Sequence, residues 1–122
     1  MDLGLADKTA LVLAGGGGLG SAVATALAAE GAKVAVADLD ETASVQTVAK
    51  VVAAGGIAES FWCDLGDLKT TEALIERVTL RMGSVSVLVN ITGGPPPMST
   101  EAIAVEVWER HFRSMARPIA RR

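Results

Sequence analysis

Between Thr9 and Val89 the sequence repeatedly pairs a short, β-branched apolar run with a longer stretch of helical period that stops at a glycine. The runs Thr9–Ala14, Lys33–Ala37, Ala58–Trp62 and Val85–Val89 read as strands. They are apolar almost throughout, the pattern of strands covered on both faces. The stretches between them read as helices. The first sets Leu19, Val23, Ala26 and Leu27 on one face and stops at Gly31; the second sets Val45, Val48, Ala49 and Val52 together and stops at Gly55. The third takes Asp67 as its N-cap, buries Ile75, Val78 and Met82, and ends at Gly83. Strand–helix–strand units connect by right-handed crossovers, so such a chain builds a parallel sheet with helices on both faces, a doubly wound α/β layer.

The rest of the composition narrows what this layer serves. With 122 residues, half of them hydrophobic, the chain can bury one core, and one domain is expected. Beyond Val89, Asn90–Met98 is a glycine–proline loop, and Val105–Met115 has helical period with Trp108, Phe112 and Met115 on one side. A net charge of −3 and 3% aromatic residues offer neither an electrostatic footprint nor a stacking platform for nucleic acid, so no nucleic-acid partner is expected. Met1–Lys8 carries Asp2 and Asp7 and does not resemble a secretory signal, and no apolar run reaches membrane-spanning length. Cys63 is the sole cysteine; it reads as a small buried apolar side chain and fits a reducing, cytoplasmic setting without a disulfide inside the chain.

Gly15, Gly17 and Gly20 satisfy G-x-G-x-x-G directly after a strand and at the opening of a helix. Where no Cβ intervenes, backbone can approach a pyrophosphate closely, and the unpaired N–H groups of a helix start attract its charge. Asp38 ends the next strand 18 positions beyond Gly20, near the roughly 20 expected of a carboxylate that accepts from a ribose hydroxyl. A dinucleotide is therefore the expected ligand. Asp38, Asp40 and Glu41 cluster where a 2′-phosphate would lie, with no Arg or Lys immediately following, which favours NAD over NADP.

These residues resemble the short-chain dehydrogenases/reductases. The family's T-G-x-x-x-G-x-G aligns with Leu13, Ala14, Gly15, Gly16, Gly17, Gly18, Leu19 and Gly20. The acid at Asp38, "CDLGD" around Asp64, "VLVN" ending at Asn90 and "VWERHF" with Trp108 follow in the family's order. The resemblance implies an α/β Rossmann-type doubly wound parallel sheet, here incomplete, with about four strands in the order 3-2-1-4. It also implies an oxidoreductase that uses a nicotinamide cofactor on a small-molecule alcohol or carbonyl. By that likeness Gly15–Gly20 hold the pyrophosphate, Asp38 the ribose, Asp64 and the Leu65 amide the adenine, and Asn90, Thr92 and Gly93 border the nicotinamide ribose. On the residues alone, Asp64 reads equally as bonding the turn before the third helix, and Asn90 as holding a strand end. Pro95, Pro96 and Pro97 stiffen either a pocket wall or a strand-terminating loop.

The pattern departs from the family in places. Leu13 stands for its threonine, Ala14 for its first glycine, and Ile91 and Thr92 interrupt its "NNAG". Ala14 is expected to keep a negative φ, with the turn shifted onto Gly15. The family's catalytic serine, tyrosine and lysine have no counterpart: the chain has no tyrosine, that segment is expected beyond Arg122, and Met115 takes roughly the place of the relay asparagine. His111 has no catalytic partner at suitable spacing. Arg110, Arg113, Arg117 and Arg121 form a stripe that reads as a solvated face or a subunit contact. An open apolar edge at Val85–Val89 points to self-association as a homo-oligomer. The leading expectation is thus the N-terminal, cofactor-binding part of a short-chain oxidoreductase. The rivals are a non-catalytic nucleotide-binding or interaction module of the same fold, and a methyltransferase that binds S-adenosylmethionine.

Overall fold

The computed structural model describes residues 2–91 together with 105, 106, 109 and 110. Four strands, β1 (Thr9–Leu13), β2 (Lys33–Asp38), β3 (Ile57–Trp62) and β4 (Val85–Asn90), alternate with α1 (Gly18–Ala29), α2 (Glu41–Ala53) and α3 (Leu68–Met82). The strands form one parallel sheet in the order β3-β2-β1-β4, as the sequence reading expects. Ala10, Val12, Val34 and Val36 pack on one face with Ala24 of α1, and Val48 of α2 joins them. Leu11, Leu13, Ala35, Ala37 and Phe61 pack on the other with Leu74, Val78 and Met82 of α3. Placing α1 and α2 opposite α3 is what right-handed crossovers require when the chain first steps outward to β3 and then jumps back past β1 to β4. The jump reverses the order in which strands are added, at β1 and β4, while every strand stays parallel; in open α/β sheets the carboxyl ends of the strands at such a point border a crevice.

Coverage of the sheet is uneven. β1 is buried at every position, and β2 is buried except at its two ends. Among the described residues β3 and β4 are the edges of the sheet, β4 alternates between half-buried and exposed, and double-sided coverage is seen for the two central strands.

Two helix faces differ from their expected orientation. In α1, Gly20 and Ala24 turn inward with Val23 and Leu27 half-buried, while Leu19 and Ala26 are exposed. In α2, Ser44, Thr47 and Val51 are buried; Val45, Ala49 and Val52 point outward and Val48 is half-buried. Small and hydroxyl-bearing side chains win these positions because the helices sit close to the sheet and the hydroxyls can satisfy themselves on backbone. The Ser44 hydroxyl donates to the Glu41 carbonyl at 2.9 Å and the Thr47 hydroxyl to the Gly15 carbonyl at 2.9 Å. In α3 the expected face holds at Val78 and Met82, with Ile75 half-buried and Thr71 and Leu74 buried in addition, and Asp67 caps the helix by accepting from the Lys69 amide at 3.0 Å.

The exit from α3 is held by the sheet. Gly83 turns the chain at φ 94°, and the carbonyl of Met82, the last helical residue, accepts from the buried Thr9 hydroxyl at 2.7 Å and from Lys33 Nζ at 3.0 Å. Two strands thereby satisfy one helix end, and the lysine also meets the negative end of the helix dipole. Thr9→Val is expected to cost about 1 kcal/mol in urea unfolding because Lys33 still serves that carbonyl. The double variant Thr9→Val, Lys33→Met is expected to cost more than the two single changes together, since it leaves the carbonyl with neither partner.

Candidate functional site

At the end of β1 the chain turns at Ala14, whose φ is 56°. The structure thus reverses the expectation that Ala14 would keep a negative φ while Gly15 carried the turn. Among the described residues the positive-φ glycines are Gly4, Gly31, Gly55 and Gly83, none of them in the loop after β1. The Gly17 amide donates to the Ala14 carbonyl at 3.2 Å to close the turn, and the Gly15 amide donates to the Ala37 carbonyl at 3.1 Å, which extends the β1–β2 pairing. With both bonds made, the left-handed conformation falls on Ala14. An L-residue there carries roughly 1–2 kcal/mol of strain.

The loop glycines instead make room. A Cβ on Gly15 would stand 2.6 Å from Val36 Cγ1, and one on Gly16 would stand 2.7 Å from Ala43 Cβ. On Gly20 a Cβ would collide with the Ala14 carbonyl and come within 2.7 Å of the Gly15 Cα, so only glycine lets α1 begin directly against the end of β1. Gly17 and Gly18 differ: the nearest heavy atom to a Gly17 Cβ would be 3.6 Å away, and Gly18 faces open space. Three of these positions are thus closed by the protein itself, and two leave backbone bare to an incoming group.

That bare backbone leads into the start of α1. Gly17 is the N-cap and has no side chain to cap with, while its carbonyl takes the Ser21 amide at 2.8 Å. The amides of Gly18, Leu19 and Gly20 therefore open a 12-residue helix without a capping side chain, at the positive end of its dipole. Such an arrangement can accept an anion.

Opposite them stands Asp38, half-buried at the end of β2. Its Oδ2 accepts from the Gly16 amide at 2.9 Å and its Oδ1 from the Asp40 amide at 2.9 Å. A carboxylate has about four acceptor positions, so capacity remains for a hydroxyl. Asp40 also caps α2 by accepting from the Ala43 amide at 3.1 Å, and Glu41 occupies the first turn, so the acids around Asp38 are fixed by local structure. A pocket of about 180 Å3 opens beneath, bordered by Ala14, Asp38, Leu39, Cys63, Asp64 and Leu65. Its wall is mostly apolar, with carboxylates at two places, which suits a flat heteroaromatic ring.

Asp64 bonds the turn before α3, one of its two expected settings. Its Oδ1 accepts from the Gly66 amide at 2.9 Å, and its carbonyl takes the Asp67 amide at 3.0 Å and the Thr70 hydroxyl at 2.8 Å, so it shapes the turn before α3. The same residue borders the pocket. Asn90, exposed at the end of β4, lies level with Leu13 on the far side of β1 from Asp38. Thr92, Gly93, the proline run, Trp108, His111, Met115, Arg113, Arg117 and Arg121 lie outside the described residues. Arg110 is exposed on a helical stretch. A larger groove of about 500 Å3 between α3 and β4, lined by Ile75, Val85 and Leu88 with Glu72 and Glu76, contains none of the candidate residues. Among the described residues no three His, Cys, Asp or Glu side chains gather as a metal site.

The glycine loop, Asp38 and the strand-3 turn thus meet at the carboxyl ends of β1, β2 and β3, in the order the sequence lays them out. The sequence matches the family model described as short chain dehydrogenase over residues 8–119. The chain belongs to the short-chain dehydrogenase family. It is 33% identical over 124 residues to the "Probable galactose dehydrogenase GalD" of Rhizobium meliloti, covering 95% of this chain and 48% of that protein. It is 31% identical over 109 residues to the 2,3-dihydro-2,3-dihydroxybenzoate dehydrogenase of Bacillus subtilis, covering 89% and 42%. The crystal structure of a short chain dehydrogenase from Mycobacterium smegmatis superposes with a TM-score of 0.88 at 29% identity, covering 96% of this chain and 50% of that one. The chain therefore spans about half the length of these short-chain dehydrogenases.

Sequence reasoning did not find Ala43 or Thr47, which touch the loop from α2. The flanking valines dominate the helical pattern there, and nothing local ties a helix-interior threonine to a glycine 32 positions earlier. Relief of the left-handed strain should make Ala14→Gly more stable by about 1 kcal/mol, the strain being partly offset by the added freedom of the unfolded chain. Gly20→Ala should lose about 1–3 kcal/mol to overpacking. Urea denaturation of the two variants beside the unmodified chain checks both signs.

Proposed function

We propose that this chain is the cofactor-binding part of an NAD(H)-dependent oxidoreductase that interconverts an alcohol and a carbonyl on a small molecule. The observation that carries the reading is the placement of the uncapped start of α1 and the Asp38 carboxylate on one glycine loop, joined through the Gly16 amide. A diphosphate needs the first and a ribose diol the second. In this reading the segment Gly15, Gly16, Gly17, Gly18, Leu19 and Gly20 takes the pyrophosphate, Asp38 the adenosine ribose, and Asp64 with the Leu65 amide the adenine. Asn90, Thr92 and Gly93 would border the nicotinamide ribose.

NAD(H), when bound, supplies a carbon that accepts or donates hydride. The residues of this chain bind and orient it. Asp38, Asp40 and Glu41 set three carboxylates beside the ribose position, which opposes a 2′-phosphate and supports NAD over NADP. The sequence contains no tyrosine, so in this reading the proton of the substrate hydroxyl is handled by residues other than these 122. The named relatives are dehydrogenases of hydroxyl-bearing compounds, which supports an alcohol or carbonyl substrate. The exposed alternation of β4 supports association with a second copy. Among the described residues no helix is long and apolar enough to cross a membrane. The missing tyrosine also favours a second reading, a nucleotide-binding module without catalysis of its own.

Calorimetric titration tests the nucleotide site and its preference for NAD, which both readings require. NADH is expected to bind with a micromolar Kd and NADPH at least about tenfold more weakly, a difference of roughly 1.4 kcal/mol. Asp38→Asn combined with Leu39→Arg, which removes one negative charge and adds a positive one beside it, is expected to reverse that order. Absence of binding by either nucleotide at millimolar concentration would end the proposal.

A further inference from the structure

We infer that Thr47 is a positioning residue for the glycine loop, through one doubly held peptide unit. The inference rests on the cofactor-site reading above for its ligand arm and on geometry alone for the rest. Thr47 lies in the middle of α2, on the helix that follows the acidic strand end, and is 2% exposed. Its hydroxyl donates to the Gly15 carbonyl at 2.9 Å. The amide on the other side of the same peptide unit, that of Gly16, donates to Asp38 Oδ2 at 2.9 Å. The Gly15–Gly16 peptide is therefore held at its oxygen by α2 and at its nitrogen by the carboxylate proposed to take the ribose.

A buried threonine inside a helix ordinarily returns its hydroxyl to the carbonyl four residues back. For Thr47 that acceptor, the Ala43 carbonyl, is 3.3 Å away, longer than the bond to the loop. Ala43 is also the residue whose Cβ closes the space over Gly16. One face of α2 thus meets the loop at two successive residues, once by contact and once by hydrogen bond. Rotation of the Gly15–Gly16 peptide would break the Thr47 bond and release the Asp38 oxygen together. The consequence is a coupling: the orientation of the Asp38 carboxylate and the direction of the glycine loop are set jointly, and Thr47 sets them without touching a ligand.

The test compares Thr47→Val, which keeps the shape and removes the hydroxyl, with Thr47→Ser, which keeps the hydroxyl. In the ligand-free chain, amide hydrogen exchange at Gly16 is expected to speed up about tenfold in Thr47→Val, while the Val36 amide in the adjoining strand keeps its rate; Thr47→Ser is expected to match the unmodified chain at both. The NADH Kd should rise about tenfold in the valine variant and return in the serine variant. Should Thr47→Val fail to fold, Thr47→Ala is read against Thr47→Ser in the same way. Unchanged Gly16 exchange in a folded variant lacking the hydroxyl overturns the inference. Faster exchange with unaltered NADH affinity overturns its ligand arm. If the unmodified chain binds no NADH, the cofactor reading fails on that ground, while the exchange rates still decide whether the peptide is held as described.

Discussion

With no side chain at Gly20, the first turn of α1 rests directly on the Ala14 carbonyl and the Gly15 backbone. This close approach sets where the helix begins and which way its free amides point. Had any larger residue stood there, α1 would have to start further from the sheet, and the loop between Ala14 and Gly17 would lengthen or tilt. The left-handed turn at Ala14 belongs to the same constraint: the loop must leave the strand, bond back to Ala37 and reach the helix within four residues, and the backbone pays by local strain.

From that contact the second wall of the site follows. Once Gly15 stays in line with β2, its carbonyl faces α2, and Thr47 supplies the donor that a buried oxygen requires. Once Gly16 sits over Ala43, its amide faces the end of β2, where Asp38 waits as acceptor. The acid proposed to select the cofactor's ribose therefore also braces the loop proposed to hold its phosphates. A side chain with two such roles is harder to replace than one with either, because a substitution that changes the ligand also loosens the loop.

The polar residues inside α2 illustrate a second point about this sheet. Its central strands are covered so closely that Leu19, Val45 and Val52 are displaced to the outside, and Gly20, Ala24, Ser44 and Thr47 take inner positions alongside Val51. α3, on the opposite face, stands over larger side chains from β1 and β3 and presents Leu74, Val78 and Met82 to them. The two faces thus solve the same burial problem with different residue sizes; the small-residue face holds the glycine loop against α1 and α2, while the pocket beside Asp38 is bordered by Leu13, Ala37, Cys63 and Leu65 of the α3 face.

Much of this could be read from the chain itself. The alternation of apolar runs with helical stretches, closed by Gly31, Gly55 and Gly83, determined the elements and their parallel pairing, because those periods and stops follow from local backbone geometry and connection handedness, while the order β3-β2-β1-β4 was expected from the family resemblance. The glycine spacing and Asp38 likewise marked the candidate site. Local pattern did not determine which face of α1 and α2 turns inward, the positive φ of Ala14, or the reach of Thr47 to Gly15. Those depended on how closely the helices approach the sheet, a distance between segments far apart in sequence, and only the assembled tertiary structure decides which side chains fit in that gap.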